Sequence, residues 1–94
     1  MKFLFLYQGM EDTPELRKAW SAWFASLDGK FLDSGSPLGG GRTVTATGAV
    51  DAPMTSDAFT GYSLVTADSL AQAEEFAASC PSVEGVRIYP ALSM

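Results

Sequence analysis

The stretch FLFLY, residues 3–7, decides how the rest of the chain is read. All five residues are apolar or aromatic, so neither side of an extended pleat is left for water. The run therefore predicts a central strand covered on both faces. A few residues later the chain reads as a helix start. In Asp12-Thr13-Pro14-Glu15, Thr13 can cap, Pro14 suits the first helical position and Glu15 favours the positive end of the helix dipole. Leu16, Trp20, Trp23, Phe24 and Leu27 then recur at helical spacing and form one apolar face. Asp28-Gly29 ends the helix, with Gly29 placed to take a left-handed C-terminal conformation.

Further along, residues 30–35 predict a second strand and SPLGGG, residues 36–41, a loop. Residues 42–47 alternate Thr43, Thr45 and Thr47 against Val44 and Ala46, which suits a strand with one wetter face. Residues 49–60 hold Asp51, Pro53, Met54 and Asp57 and read as a loop rather than a short hairpin turn. Residues 62–66 predict the next strand. Asp68 can cap a second helix whose face carries Leu70, Ala73, Phe76, Ala77 and Cys80. Pro81 stops that helix. A last strand over residues 86–89 ends at Pro90.

The predicted order is β-α-β-β-β-α-β, an α+β chain on the split βαβ plan of ferredoxin-like domains. Right-handed crossovers place both helices on one face of the sheet. The opposite face keeps residues from FLFLY together with Tyr62, Leu64 or Val65. Such a face is usually covered by another subunit, so the expected state is a homodimer with two sheets facing each other.

Bulk properties bound the chemistry. Ninety-four residues make one domain, residues 1–94, and 47% hydrophobic content supplies a packed core. Six basic against eleven acidic residues leave a formal charge of -5, which argues against nucleic acid or an anionic membrane as the main partner. The apolar run near the start is too short for a signal-peptide core or a membrane span, so the chain is expected to be soluble and cytoplasmic. Cys80 is the single cysteine, which rules out an intrachain disulfide. The chain contains no histidine. The usual zinc and copper sites therefore cannot be assembled within one chain, and no cofactor or metal is expected. Serine–histidine and cysteine–histidine pairs are equally out of reach. Acid–base work falls to carboxylates, tyrosines or lysines.

Three segments, taken together and in order, carry a family resemblance: KFLFLYQG, WSAWFASLDGKFLDSGSPLG, and VDAPM succeeded by FTGYSLVTADSLAQAEEFAASCPSVEGVRIYPALSM. On these the chain resembles the YCII-related, or DGPF-domain, family of small bacterial proteins almost from end to end. The resemblance implies a ferredoxin-like chain that dimerises as an α+β barrel. Asp51-Ala52-Pro53-Met54 stands where the family has Asp-Gly-Pro-Phe, with Ala52 in place of glycine and Met54 in place of phenylalanine. Relatives look like enzymes with a histidine on the first helix and a nearby aspartate. Trp20 stands at the aligned helix position here, so a histidine–aspartate mechanism cannot be carried over. Other relatives look like partners of transcription-regulating sigma factors, which implies a regulatory, protein-facing role as an alternative.

The candidate site residues each have a structural alternative. Asp51 is a candidate active-site carboxylate, or it caps a turn through nearby backbone N–H groups. Asp33 is a cleft-facing acid or a solvated one. Ser36 opens a glycine-rich stretch that lacks phosphate-loop spacing, so a flexible turn is the simpler reading. Arg42 can hold a substrate carboxylate or sit on the surface. Trp20 stacks on a ligand or packs in the core. Tyr62 faces a cavity or an interface. Cys80 is read as structural. These residues support a small organic ligand bound in a cleft between sheet and helix, with Asp33, Ser36, Asp51 and Tyr62 as its polar groups. The alternative is an enzyme using Asp33 or Asp51 as general acid or base.

Overall fold

The computed structural model describes residues 1–9, 11–55, 57–82 and 84–93. Eight elements succeed one another: β1 (Lys2–Gln8), α1 (Pro14–Ser26), β2 (Phe31–Pro37), β3 (Gly41–Thr45), β4 (Gly48–Ala52), β5 (Phe59–Thr66), α2 (Leu70–Ala78) and β6 (Gly85–Pro90). β2, β5, β1 and β6 lie side by side in that order, each antiparallel to its neighbour. β1-α1-β2 and β5-α2-β6 are thus two split crossovers, each with a strand of the other between its own, which is the ferredoxin-like plan.

The FLFLY run becomes β1, bonded on one side to β5 and on the other to β6. Its side chains alternate. Phe3, Phe5 and Tyr7 are buried, while Leu4 and Leu6 on the opposite face are half-buried. The buried set meets Val65 of β5, Trp23 and Leu27 at the end of α1, and Ala73 of α2, so both helices lie on one face of the sheet. Burying Phe3 and Phe5 contributes about 1.5–3 kcal/mol each. The indole N–H of Trp23 donates to the carbonyl of Phe76 at 2.9 Å, tying α1 to α2 and satisfying the one polar atom the ring brings inside.

The helix ends obey local chemistry. The Thr13 hydroxyl oxygen accepts from the Leu16 N–H at 3.1 Å, and Pro14 occupies the first helical position. Gly29 takes φ 83°, the left-handed conformation expected after α1. α2 differs from its expectation: Ser69, not Asp68, is the cap. The Ser69 hydroxyl accepts from the Gln72 N–H at 3.1 Å, and the Gln72 side chain reaches back to accept from the Asp68 N–H at 2.6 Å. A serine three residues before Gln72 is placed to take the cap, and the Gln72 side chain satisfies the N–H one residue before that cap. α2 also ends at Ala78, so Cys80 lies past its last turn.

The segment expected to be a loop over residues 49–60 is the second departure. Residues 48–52 form β4, which pairs with β3 in a two-stranded ribbon separate from the main sheet. Ala46 and Thr47 make its turn, and the Thr45 hydroxyl donates to the Gly48 carbonyl at 3.3 Å. The ribbon's side chains give no burial pattern to read, because all ten of its residues except Ala52 are exposed.

Candidate functional site

A cavity of about 720 Å³ opens at the end of the sheet where β1 and β2 finish and β5 begins. Its existence comes from residue size along β5. The positions of β5 that face the helices are Gly61, Ser63 and Val65. Val65 fills its share of the core, but Gly61 contributes no side chain, and α1 passes above it with Trp20 and Phe24 on its lower face. A Cβ at Gly61 would lie 3.4 Å from both the Ser36 carbonyl oxygen and a Tyr7 ring carbon. Gly61 is therefore the floor of the cavity.

The walls are aromatic. Tyr7 meets Trp20 edge to face with ring centroids 4.9 Å apart, and Trp20 meets Trp23 at 5.7 Å and Phe24 at 5.9 Å. Met54 closes one side. This is the apolar residue directly after Asp51-Ala52-Pro53, and the ribbon delivers it to the cavity. At the rim stand Glu11, Asp12 and Arg17, with Arg17 paired to Asp12 at 3.0 Å.

The polar part of the wall depends on an irregularity in β2. Between Phe31 and Pro37 this strand advances six residues while its partner β5 advances four, from Val65 to Gly61. Two extra residues are therefore accommodated in bulges. At the second of them Gly35 adopts φ 83° and lies so close to β5 that a Cβ there would fall 1.6 Å from the Tyr62 carbonyl oxygen. Only glycine fits. Asp33 stabilises the bulge: one of its carboxylate oxygens accepts from the Gly35 N–H at 2.8 Å. The bulge also turns the Ser34 carbonyl towards the sheet interior, where it accepts from the Ser63 hydroxyl at 2.7 Å. Ser63 in turn accepts from the Tyr7 hydroxyl at 2.8 Å. Burial pushes the Tyr7 phenol well above its ordinary value, outweighing the opposing hydrogen bond to Ser63. Cys80 nearby is pushed up to about 11 by burial, against a hydrogen bond from the Ser82 backbone, so its thiol stays protonated at neutral pH.

Of the residues singled out from sequence, Trp20, Ser36 and Tyr62 line the cavity. Tyr62 pairs with Leu6, so strand alternation puts its side chain on the helix-free face while it meets the cavity where β5 joins β2. Asp33, Arg42 and Asp51 do not line the cavity. Asp33 is bonded within the bulge, and Asp51 on β4 accepts from the Arg42 guanidinium across the ribbon at 2.6 Å. Both partners of that pair are exposed. Sequence reasoning passed over Tyr7, Gly61 and Ser63. The available signal was alternation: Tyr7 and Ser63 are the polar members of two otherwise buried strand faces, and Gly61 is the position on β5 without a side chain.

The fold and the cavity define an α+β, ferredoxin-like protein with an aromatic-walled site at one end of its sheet. The model of the YCII-related domain matches residues 1–94, and the chain belongs to that family. No curated protein matches it. Among solved structures, 5-chloro-2-hydroxyhydroquinone dehydrochlorinase (TftG) from Burkholderia phenoliruptrix AC1100, in complex with 2,5-dihydroxybenzoquinone, is similar in fold. It has 18% identity and a TM-score of 0.55, over 98% of this chain and 94% of that one. Among the described residues no helix is long and apolar enough to cross a membrane.

Proposed function

We propose that this chain binds a small planar organic molecule in the cavity between α1 and the sheet. The observation that carries the reading is the cavity itself: about 720 Å³, walled by Tyr7, Trp20 and Phe24 and floored by Gly61. That volume and an apolar, aromatic lining with few polar groups are what small-molecule sites share. The planar ring-shaped ligand in the complex of the similarly folded dehydrochlorinase supports a planar ring as the occupant. An acid–base reaction through Asp33 or Asp51 has less support, because neither carboxylate lines the cavity and each already has a hydrogen-bond partner.

The test is a titration with hydroquinone, a planar ring that stays neutral at pH 7, monitored through tryptophan fluorescence, since Trp20 lies in the wall. Saturable quenching is expected, and Gly61→Val should weaken it at least tenfold by filling the floor. Quenching unchanged by Gly61→Val would reject the cavity as the site.

The same chain is proposed to work as a homodimer through the face of the sheet that carries no helices. Leu4, Leu6, Tyr62 and Leu64 lie there half-buried, with Leu32 and Tyr89 exposed beside them. A second copy laid across this face would remove that apolar surface from water. Sedimentation at micromolar concentration should give twice the chain mass, and Leu64→Lys should return it to one.

A further inference from the structure

The hydrogen bonds behind the cavity wall run in one direction, and that direction is fixed by chemistry. The last member of the chain is the backbone carbonyl of Ser34, which can only accept. The single hydroxyl proton of Ser63 is therefore given to Ser34, at 2.7 Å. With that proton spent, the Ser63 oxygen can only accept from Tyr7, at 2.8 Å. The single phenolic proton of Tyr7 is committed in turn. Ser63 is completely buried, so water does not compete for its bond to Ser34, while Tyr7, 5% exposed, keeps a small opening to the cavity it lines. Tyr7 and Ser34, the first and last members, both line the cavity, so the relay runs along its wall.

We propose that Tyr7 therefore offers the cavity a hydrogen-bond acceptor and no donor, so that the site selects hydroxyl-bearing aromatic rings over rings whose polar groups only accept. This rests on the reading of the cavity as a ligand site and adds to it the polarity of the ligand. At the rim, Glu11 supplies a further acceptor, while Asp12 is paired with Arg17, whose guanidinium is a donor, so the acceptor bias of the site rests on Tyr7. Burial holds the Tyr7 phenol well above its ordinary value, so the acceptor stays a neutral phenol through the neutral range. The carbonyl that sets the direction is in place because of the β2 bulge. The selectivity of the site is thus a property of backbone geometry transmitted through two hydroxyls.

Two fragments of similar size test this: phenol, which carries a donor, and benzaldehyde, which carries only an acceptor. Each is titrated into the protein while amide chemical shifts are recorded by NMR, with Gly61 and Ser36 reporting on the cavity. The wild-type protein is expected to bind phenol about tenfold more tightly, the difference that one satisfied neutral hydrogen bond typically makes. Ser63→Ala releases the Tyr7 proton and should bring the ratio to unity or invert it. Tyr7→Phe should abolish the preference while both fragments still bind. Equal binding of the two fragments at Gly61 and Ser36 in the wild-type protein overturns the acceptor assignment and leaves the cavity reading intact. A wild-type preference for phenol that survives both substitutions overturns it as well, because the preference would then come from elsewhere in the wall. Absence of shifts at Gly61 and Ser36 with either fragment removes the cavity reading, and this inference with it.

Discussion

In β1 and β5 every second side chain is buried beneath the helices, whereas in the ribbon of β3 and β4 every residue but Ala52 is exposed. Both pairs are antiparallel ladders with regular registers over most of their length. Val44 and Val50 of the ribbon stay 75% and 64% exposed, although the same residue type at position 65 is fully buried. Backbone pairing alone thus makes a strand, but only packing on a second layer makes one that stabilises the fold. The ribbon holds its shape through its ladder, its Ala46-Thr47 turn and the Arg42–Asp51 pair. Its contribution to the site is to bring Met54 to the cavity wall.

Substitutions on the two sides of this contrast should differ in scale. Phe5→Ala removes a completely buried ring from the centre of the sheet and should destabilise the protein by about 3–5 kcal/mol in urea unfolding. A loss below about 1 kcal/mol would mean that the helices do not clamp this face. Gly35→Ala comes next. It places a carbon against the Tyr62 carbonyl at a position that also needs positive φ, and should cost about 2 kcal/mol or more while weakening the bond between Ser34 and Ser63. The far-ultraviolet spectrum should persist, with altered amide shifts confined to β2 and β5. Arg42→Ala, on the ribbon, should change stability by less than about 1 kcal/mol, an effect that fades further in high salt. A larger loss would show that the ribbon is packed against something, a second copy included, and would erase the contrast.

How much of this was legible in the sequence depended on whether burial left a pattern. FLFLY and the spaced Trp20, Trp23, Phe24 and Leu27 announced a central strand and a one-faced helix, because each buried face repeats at the period of its element. The ribbon left no such trace. Ala49-Val50-Asp51-Ala52 faces water on both sides, so nothing in it alternates, and the nearby proline and acids suggested a loop. The cavity was half legible. Trp20 and Ser36 drew notice by side-chain chemistry and stand in its lining, whereas Tyr62 borders it from a strand position whose side chain lies on the helix-free face. Asp33 and Asp51 drew notice for the same reason, yet one braces a bulge and the other an ion pair. Tyr7 escaped because it ends a strand that reads as pure core. Its hydroxyl becomes meaningful only once Ser63, 56 residues away, is seen beside it.

The bare floor at Gly61 has a use beyond making room. Its backbone does not need positive φ, and the space above it admits one methyl group in ordinary contact with the Ser36 carbonyl and the Tyr7 ring. A series of glycine, alanine and valine at this position is thus a ruler that shortens the compartment from below, its added carbons resting against the Tyr7 ring and the Ser36 carbonyl. Related chains that carry larger residues at the matching place should accept correspondingly smaller guests, so one codon sets the size limit while the relay beside it sets the polarity.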